Sequence, residues 1–387
     1  MSPRPSRVSE PLQRLDDEGY ELDVRDDGHL VISHIPYVDS TKAVRFGVLA
    51  YPGDELSPPI DHTIWWAGDA PCDRHGTPLN LGNYAEVHQV GDVQTNLRFS
   101  RKPEGGYANH YDKVATYVQF LQTPAQDLEP GVTAQTYGIV EPSPTESPFL
   151  YADTATPRAR ITEIAERLRI AKVAIVGLGG TGSYILDFIS KSPVWEIHLF
   201  DGDVLASHNA FRAPGAVSKG RLLKRPQKID ELIETYSKMR RGLVPHGYLD
   251  EVSVEVLRDM DFVFLSLDQG KPKQLAVEKL VEFGVPFVDV GMGVYVVEGE
   301  RALGGTLRTT LVTPEDHASI HHINFTDAAG DDAYSTNIQI VELNAMHAAM
   351  AVIAWKRHVG FYKDTVYHSD SAYQICSNYL NGEGRES

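Results

Sequence analysis

The segment Gly177-Leu178-Gly179-Gly180-Thr181-Gly182 constrains this chain more than any other stretch. It stands between an apolar run, KVAIVG, which reads as a buried strand, and SYILDFISKS, which reads as a helix. Glycines at such a junction let the backbone turn tightly and approach a phosphate, and the helix start supplies free N–H groups. Asp201 closes the next strand, WEIHLF, nineteen residues after Gly182. A carboxylate there is placed to accept hydrogen bonds from ribose hydroxyls. The plainer alternative is a glycine turn that only packs a helix on a strand. The strand, helix and acid in register argue against it.

Around this unit the sequence keeps alternating. RARITEIAERLR predicts a helix ahead of KVAIVG, and a charged helix is expected over roughly Gln227–Met239. The strand DFVFLSLD, the helix KQLAVEKLVEFG and the strands PFVDVG and GTLRTTLVT follow. Strands alternating with helices predict a parallel sheet and an α/β, Rossmann-like domain over residues 158–365. NIQIVELNAMHAAMAVIAWKRH is apolar on nearly all sides, which suits a helix buried in a core or at a subunit contact. Residues 366–387 read as a C-terminal tail.

Residues 1–140 have another texture. HLVISHIPYV, AVRFGVLAYPG and HTIWWAG are short apolar stretches broken by Gly, Pro and Asp, with one helical stretch at HYDKVATYVQFLQ. They predict a smaller, β-rich domain. Residues 141–157 crowd Pro142, Pro144, Pro148 and Pro157 among Ser and Thr and read as a linker.

A strand–glycine turn–helix followed by an acid serves NAD as well as ATP, so the residues behind it decide. Asp203 adds a second acid, and Asn209 and Arg212 follow at short range. An Arg fork matches phosphate oxygens. Lys228 opens the next helix and adds a point charge. Asp268 ends DFVFLSLD, at the sheet edge where ligands of α/β folds gather. A lone carboxylate facing a triphosphate is a natural Mg²⁺ ligand.

Taken as an ordered set, these residues resemble the ThiF/MoeB/ubiquitin-activating-enzyme superfamily over about Arg158–Gly360. The resemblance implies adenylation of the C-terminal carboxylate of a ubiquitin-like protein, with ATP and Mg²⁺, in a bacterial conjugation or sulfur-transfer pathway. It implies that Gly177, Gly179, Gly180 and Gly182 cradle the nucleotide, that Asp201 holds the ribose with Asp203 as a second acid beside the site, and that Asn209, Arg212 and Lys228 hold phosphates. Lys224 is a second candidate for the lysine role, and Asp268 is the implied Mg²⁺ ligand. Family members also carry an arginine ahead of the first strand that reaches a partner subunit's ATP, for which Arg158 and Arg160 are candidates. A homodimer follows, and an extra N-terminal domain in such proteins suggests recognition of the ubiquitin-like protein or a conjugating enzyme.

The chain departs from the conjugating members at one point: Gln269–Leu343 contains no cysteine. A thioester is not expected there. Ser335 and Thr336, in DDAYSTNIQIVELN, offer hydroxyls for an oxyester, although Ser or Thr at that place also suits a helix N-cap. His317, His321 and His322 could act as a base or bind metal, but read more simply as a polar loop. Cys72 reads as an incidental turn cysteine, and Trp65 and Trp66 as core residues.

Composition closes several other routes. With only two cysteines, Cys72 and Cys376, a disulfide framework and a four-thiolate zinc site are excluded. A formal net charge of -17 and no block of Lys and Arg argue against nucleic-acid binding. No run is apolar enough to span a bilayer, and no apolar stretch follows the basic start, so a cytoplasmic protein is expected. Two other functions stay open: an NAD-dependent oxidoreductase, and a non-catalytic partner of an activating enzyme.

Overall fold

The computed structural model describes residues 9–25, 28–53, 58–59, 61–81, 84–90, 93–138, 147–159, 161–268, 270–325 and 338–384. The chain divides into two compact units, residues 1–140 with 157–160, and residues 141–156 with 161–387.

The first unit is a six-stranded antiparallel sheet of β1 (Glu21–Val24), β2 (His29–Val38), β3 (Val44–Pro52), β4 (Thr63–Ala67), β5 (Tyr84–Val90) and β6 (Val93–Ser100), ordered β1-β2-β3-β4-β6-β5. Helices α1 (Glu10–Asp17) and α2 (His110–Leu128) supply the other layer. Leu12, Leu15, Leu30, Ile32, Leu49, Trp66, Phe99, Val114 and Leu121 form its core. Asn109 caps α2 by accepting from the Asp112 N–H. Trp66 is buried, whereas Trp65 points to the opposite face and stacks on His88 at 4.2 Å between ring centroids. Successive strand residues alternate faces, so only one tryptophan of the pair can enter a given core. Cys72 is wholly buried, and burial pushes its thiol above the ordinary range.

The second unit is an eight-stranded sheet. Its strands are β7 (Lys172–Val176), β8 (Glu196–Phe200), β9 (Leu243–His246), β10 (Phe262–Leu265), β11 (Phe287–Val297), β12 (Ala302–Val312), β13 (His368–Gln374) and β14 (Tyr379–Gly384). The order is β14-β13-β12-β11-β10-β7-β8-β9. Pairing is parallel from β11 through β9 and antiparallel from β11 to β14. Val173 and Ile175 enter the core shared with helices α3 (Gly180–Ser190), α4 (Lys228–Tyr236) and α6 (Val341–His358). Ala174 and Val176 enter the opposite core, shared with α5 (Lys271–Phe283). Burial on both faces is why KVAIV is apolar without alternation.

Three segments differ from expectation. RARITEIAERLR is not one helix: it gives the short pieces Thr162–Ala165 and Glu166–Leu168. Only Leu168 of those pieces is buried, so no apolar stripe holds a longer helix in place. Residues 366–387, read as a tail, carry the β13–β14 hairpin on the edge of β12. There the Thr310 hydroxyl donates to the Asp370 carboxylate at 2.7 Å. The segment SDSAYQ is too polar to announce a strand. The later part of the 141–157 linker lies along the second unit, where Leu150 N–H donates to Met239 O and Arg241 N–H to Pro148 O. Among the described residues, no helix is long and apolar enough to cross a membrane.

Candidate functional site

The glycine turn leaves β7 and starts α3, and its glycines have different jobs. Gly177 has φ +90°, and a Cβ on it would lie 2.3 Å from Ser266 O. A Cβ on Gly182 would lie 1.9 Å from Gly177 O, and one on Gly180 would lie 2.1 Å from Asn344 Nδ2. These three are glycine because the chain packs against itself. Gly179 has φ -71° and nothing within 4 Å of a Cβ position. Its Cα therefore borders open cleft. Gly182→Ala is expected to destabilise the fold by about 1–3 kcal/mol through overpacking. Gly179→Ala should leave the melting temperature in place and weaken nucleotide binding at least about tenfold, because a methyl then stands where phosphate must approach. Thermal unfolding and an ATP titration of both variants check this; equal melting temperatures would sink it.

A cleft of about 870 Å³ opens at this turn, and Gly177, Gly179, Gly180, Thr181, Asp201, Asp203, Arg212, Lys228 and Asp268 are among the residues that line it. The Asp201 carboxylate accepts from Leu178 N–H and Asp203 N–H, both at 2.8 Å, which fixes it before any ligand arrives. Lys228 is buried, with Nζ 2.5 Å from Asp203 Oδ2 and 3.7 Å from Asp201 Oδ2. Tyr248 donates its hydroxyl proton to Asp203 Oδ1 at 2.7 Å. Lys228 first and Tyr248 second hold the Asp203 carboxyl below its ordinary range. Arg212 has no described carboxylate against it, and its Nε has no hydrogen-bond partner among the described residues. Asp268 is exposed at the cleft, three residues beyond β10.

Not every sequence candidate reaches the cleft. Asn209 is buried in the turn Ser207–Ala210, where its Oδ1 accepts from Ala206 N–H at 2.9 Å. It does not line the cleft wall, and neither does Gly182. Its carbonyl instead accepts from Arg212 N–H at 3.1 Å, so the residue shapes the turn that delivers Arg212. Lys224 is exposed behind the short helix Lys219–Leu223 and lies outside the lining set. Arg158 ends the short helix Ala155–Arg158. Arg160, Ser335 and Thr336 lie outside the described residues. The His321 and His322 rings lie tilted against each other, 3.8 Å between centroids, in the turn Ala318–His322. Among the described residues, no group of three His, Cys, Asp or Glu is placed to hold a metal ion. Cys376 is exposed between β13 and β14.

Part of the cleft lining was not read from the sequence. Lys273, Arg308 and His347 line the same cleft, as does the strand segment Gly291-Met292-Gly293. Beneath them, wholly buried Asp289 pairs with Lys273 Nζ at 2.7 Å, and Arg308 Nη2 is 3.8 Å from its other oxygen. Asn344 is also wholly buried; it accepts from the Thr181 hydroxyl at 3.1 Å and donates to Arg212 O at 3.3 Å. It ties α6 to the glycine turn and to the Arg212 backbone. The one signal in the sequence was an acid inside the apolar run PFVDVG, which a buried strand tolerates only when paired.

Residues 10–154 match a domain of unknown function, DUF6791, and residues 153–354 match the ThiF family. No curated protein sequence matches the chain. Among solved structures, E. coli MccB with SeMet MccA is similar at 17% identity, covering 61% of this chain and 73% of MccB, with a TM-score of 0.45. E. coli MccB with ATP is similar at 18% identity, covering 60% of this chain and 67% of MccB, with a TM-score of 0.42. PaaA is similar at 15% identity, covering 57% of this chain and 75% of PaaA, with a TM-score of 0.43. With more than half of its residues matched, and with the glycine turn, Asp201, Arg212, Lys228 and Asp268 gathered on one cleft, the chain belongs to the ThiF family and carries a ThiF-like adenylating domain.

Proposed function

We propose that the chain adenylates the C-terminal carboxylate of a ubiquitin-like protein. A carboxylate oxygen bonds to the α-phosphorus of ATP as the bond to pyrophosphate breaks, giving an acyl-adenylate and free pyrophosphate. The observation that carries the reading is the convergence of Arg212, Lys228 and Asp268 on the cleft that opens at the glycine turn. Asp201 would take the ribose hydroxyls, and the N–H groups at the start of α3 the phosphates. Arg212 and Lys228 would offset repulsion between the incoming carboxylate and the triphosphate, and stabilise charge as it develops. An exposed carboxylate on the same cleft suits a divalent cation, so Asp268 would hold Mg²⁺. Bound there, Mg²⁺ would neutralise charge on the leaving pyrophosphate. No general base is needed, because the carboxylate is already ionised.

The N-terminal domain would recognise the ubiquitin-like protein or a conjugating enzyme. With no cysteine between Gln269 and Leu343, the adenylate would pass straight to a partner's nucleophile or, failing that, to a hydroxyl such as Ser335 or Thr336. The reading extends to a cytoplasmic homodimer in which Arg158 acts across subunits. Mixing Arg158→Ala with Asp268→Ala chains should then restore part of the activity that each lacks; no recovery in a proven mixed dimer would remove the trans role.

The test is ATP–pyrophosphate exchange with candidate ubiquitin-like proteins, beside titrations with ATP and NAD. Exchange that depends on the protein substrate and on Mg²⁺ is expected. Tight NAD binding with no ATP binding would favour an oxidoreductase and end this reading.

A further inference from the structure

Asn344 is wholly buried on α6, as is Ala348 one turn further on, at a position where an apolar side chain would avoid the cost of burying an amide. Both ends of that amide are in use. The nitrogen donates to Arg212 O at 3.3 Å, and the oxygen accepts from the Thr181 hydroxyl at 3.1 Å. A carbonyl only accepts, so the amide can face Arg212 in one orientation alone. Gly180 completes the contact: a Cβ there would lie 2.1 Å from Asn344 Nδ2. Gly180, Thr181 and Arg212 all line the cleft, and Asn344 itself is not part of the lining.

These contacts join two separate stretches of chain that have to close on one ligand. Gly180 and Thr181 open α3, where free N–H groups suit phosphates. Arg212 follows the turn Ser207–Ala210, and its N–H donates to Asn209 O within that same stretch. Its carbonyl is held from outside the stretch, by Asn344. Helix α6 is a firm base for such a hold, because Ala348, Ala351 and Trp355 share a core with Ile185, Leu186 and Ile189 of α3.

We propose that Asn344 is a positioning residue for phosphate recognition: it sets the Arg212 fork against the start of α3 without touching the nucleotide. The proposal rests on the adenylation reading for the ligand, and adds to it the residue that couples the two phosphate-directed stretches. The coupling matters because both must meet one triphosphate, and a displacement of about 1 Å in a group that positions the substrate can cost about 10²-fold in the reaction. Asn344 therefore acts through Arg212. Removing it should harm the triphosphate and spare the nucleoside, a pattern that a mere loss of packing in α6 does not produce.

The test uses the full chain with Mg²⁺ and two probes, ATP and adenosine. Each is titrated by calorimetry into the wild type, Asn344→Ala, Arg212→Ala and the double variant. Arg212→Ala should weaken ATP about tenfold, the worth of one charged contact, and leave adenosine in place. Asn344→Ala should weaken ATP at least about fivefold and adenosine less than about twofold. With Asn344 gone the fork is already misplaced, so Arg212→Ala should then cost ATP no more than about threefold. Thr181→Val keeps the side-chain shape and removes the hydroxyl that orients the amide. It should show the same coupling more weakly, and it stands in if Asn344→Ala does not fold. Ala351→Gly loosens α6 elsewhere, and should lower the melting temperature while keeping the preference for ATP. Full additivity of Arg212→Ala with Asn344→Ala, or with Thr181→Val where that variant stands in, overturns the proposal. So does an Ala351→Gly chain that loses the preference as far as Asn344→Ala does. A wild type that does not prefer ATP to adenosine ends the adenylation reading, and this proposal with it.

Discussion

Asp289→Ala is expected to destabilise the ThiF domain by about 3–5 kcal/mol, the cost of removing one partner from a buried ion pair. Asp289 sits within β11, among Phe287, Val288 and Val290, and has no solvent to fall back on. Burial pushes its carboxyl upward, and the Lys273 ammonium opposes that shift. With the carboxylate gone, Lys273 stays in the core with no counter-charge. Arg308 loses the group that anchors it as well. Asp289→Asn keeps the shape and loses the charge, so it should recover little. The double variant Asp289→Leu with Lys273→Met should recover most of the loss, because a packed apolar pair often replaces a buried ion pair at no net cost. Thermal and urea unfolding of the four chains decides the matter. An Asp289→Ala chain within about 1 kcal/mol of wild type would mean that the pair is weakly coupled to the fold.

How far the sequence reaches depends on what kind of force places each element. The strands and helices around the glycine turn were legible because local pattern and tertiary burial agree there: β7 is apolar on both faces and α3 follows directly. The β13–β14 hairpin was illegible because an edge strand with polar side chains owes its place to pairing with β12, which no local window contains. RARITEIAERLR misled for the reverse reason: its helix propensity is real, and of its two short helical pieces only Leu168 enters a core. Asp201, Asp203, Arg212, Lys228 and Asp268, which line one cleft, could be picked out because their order along the chain is itself a signal. Asn209 shared that order, and geometry then gave its side chain to Ala206 N–H. Lys273, Asp289, Arg308 and His347 come from α5, β11, β12 and α6 and meet only through the sheet. Asn344 looks in sequence like one polar residue on an apolar helix. Only the fold puts it between Thr181 and the Arg212 carbonyl.

Arg212→Ala is expected to slow pyrophosphate exchange by about 10²–10³-fold, the range found when one preorganised donor to developing charge is removed. The size follows from how little else Arg212 does. No described carboxylate pairs with it, and its Nε has no partner among the described residues. Its backbone is held from two sides, by Asn209 O on its N–H and Asn344 Nδ2 on its carbonyl. A cationic fork carried on a fixed backbone is what phosphate recognition needs, since little reorganisation remains at the moment of reaction. Lys228 is a less clean target, because it already pairs with Asp203 and Asp201. Lys228→Ala would leave two carboxylates on the cleft without their cation and mix a lost cation with uncompensated anions. Arg212→Lys should recover only part of the rate, since an ammonium keeps the charge and loses the planar fork. The loss should fall on the exchange rate at saturating ATP, with ATP affinity and melting temperature changing less. An Arg212→Ala chain that exchanges at the wild-type rate would show that the guanidinium faces no phosphate in the transition state, and the cationic duty would then pass to Lys228.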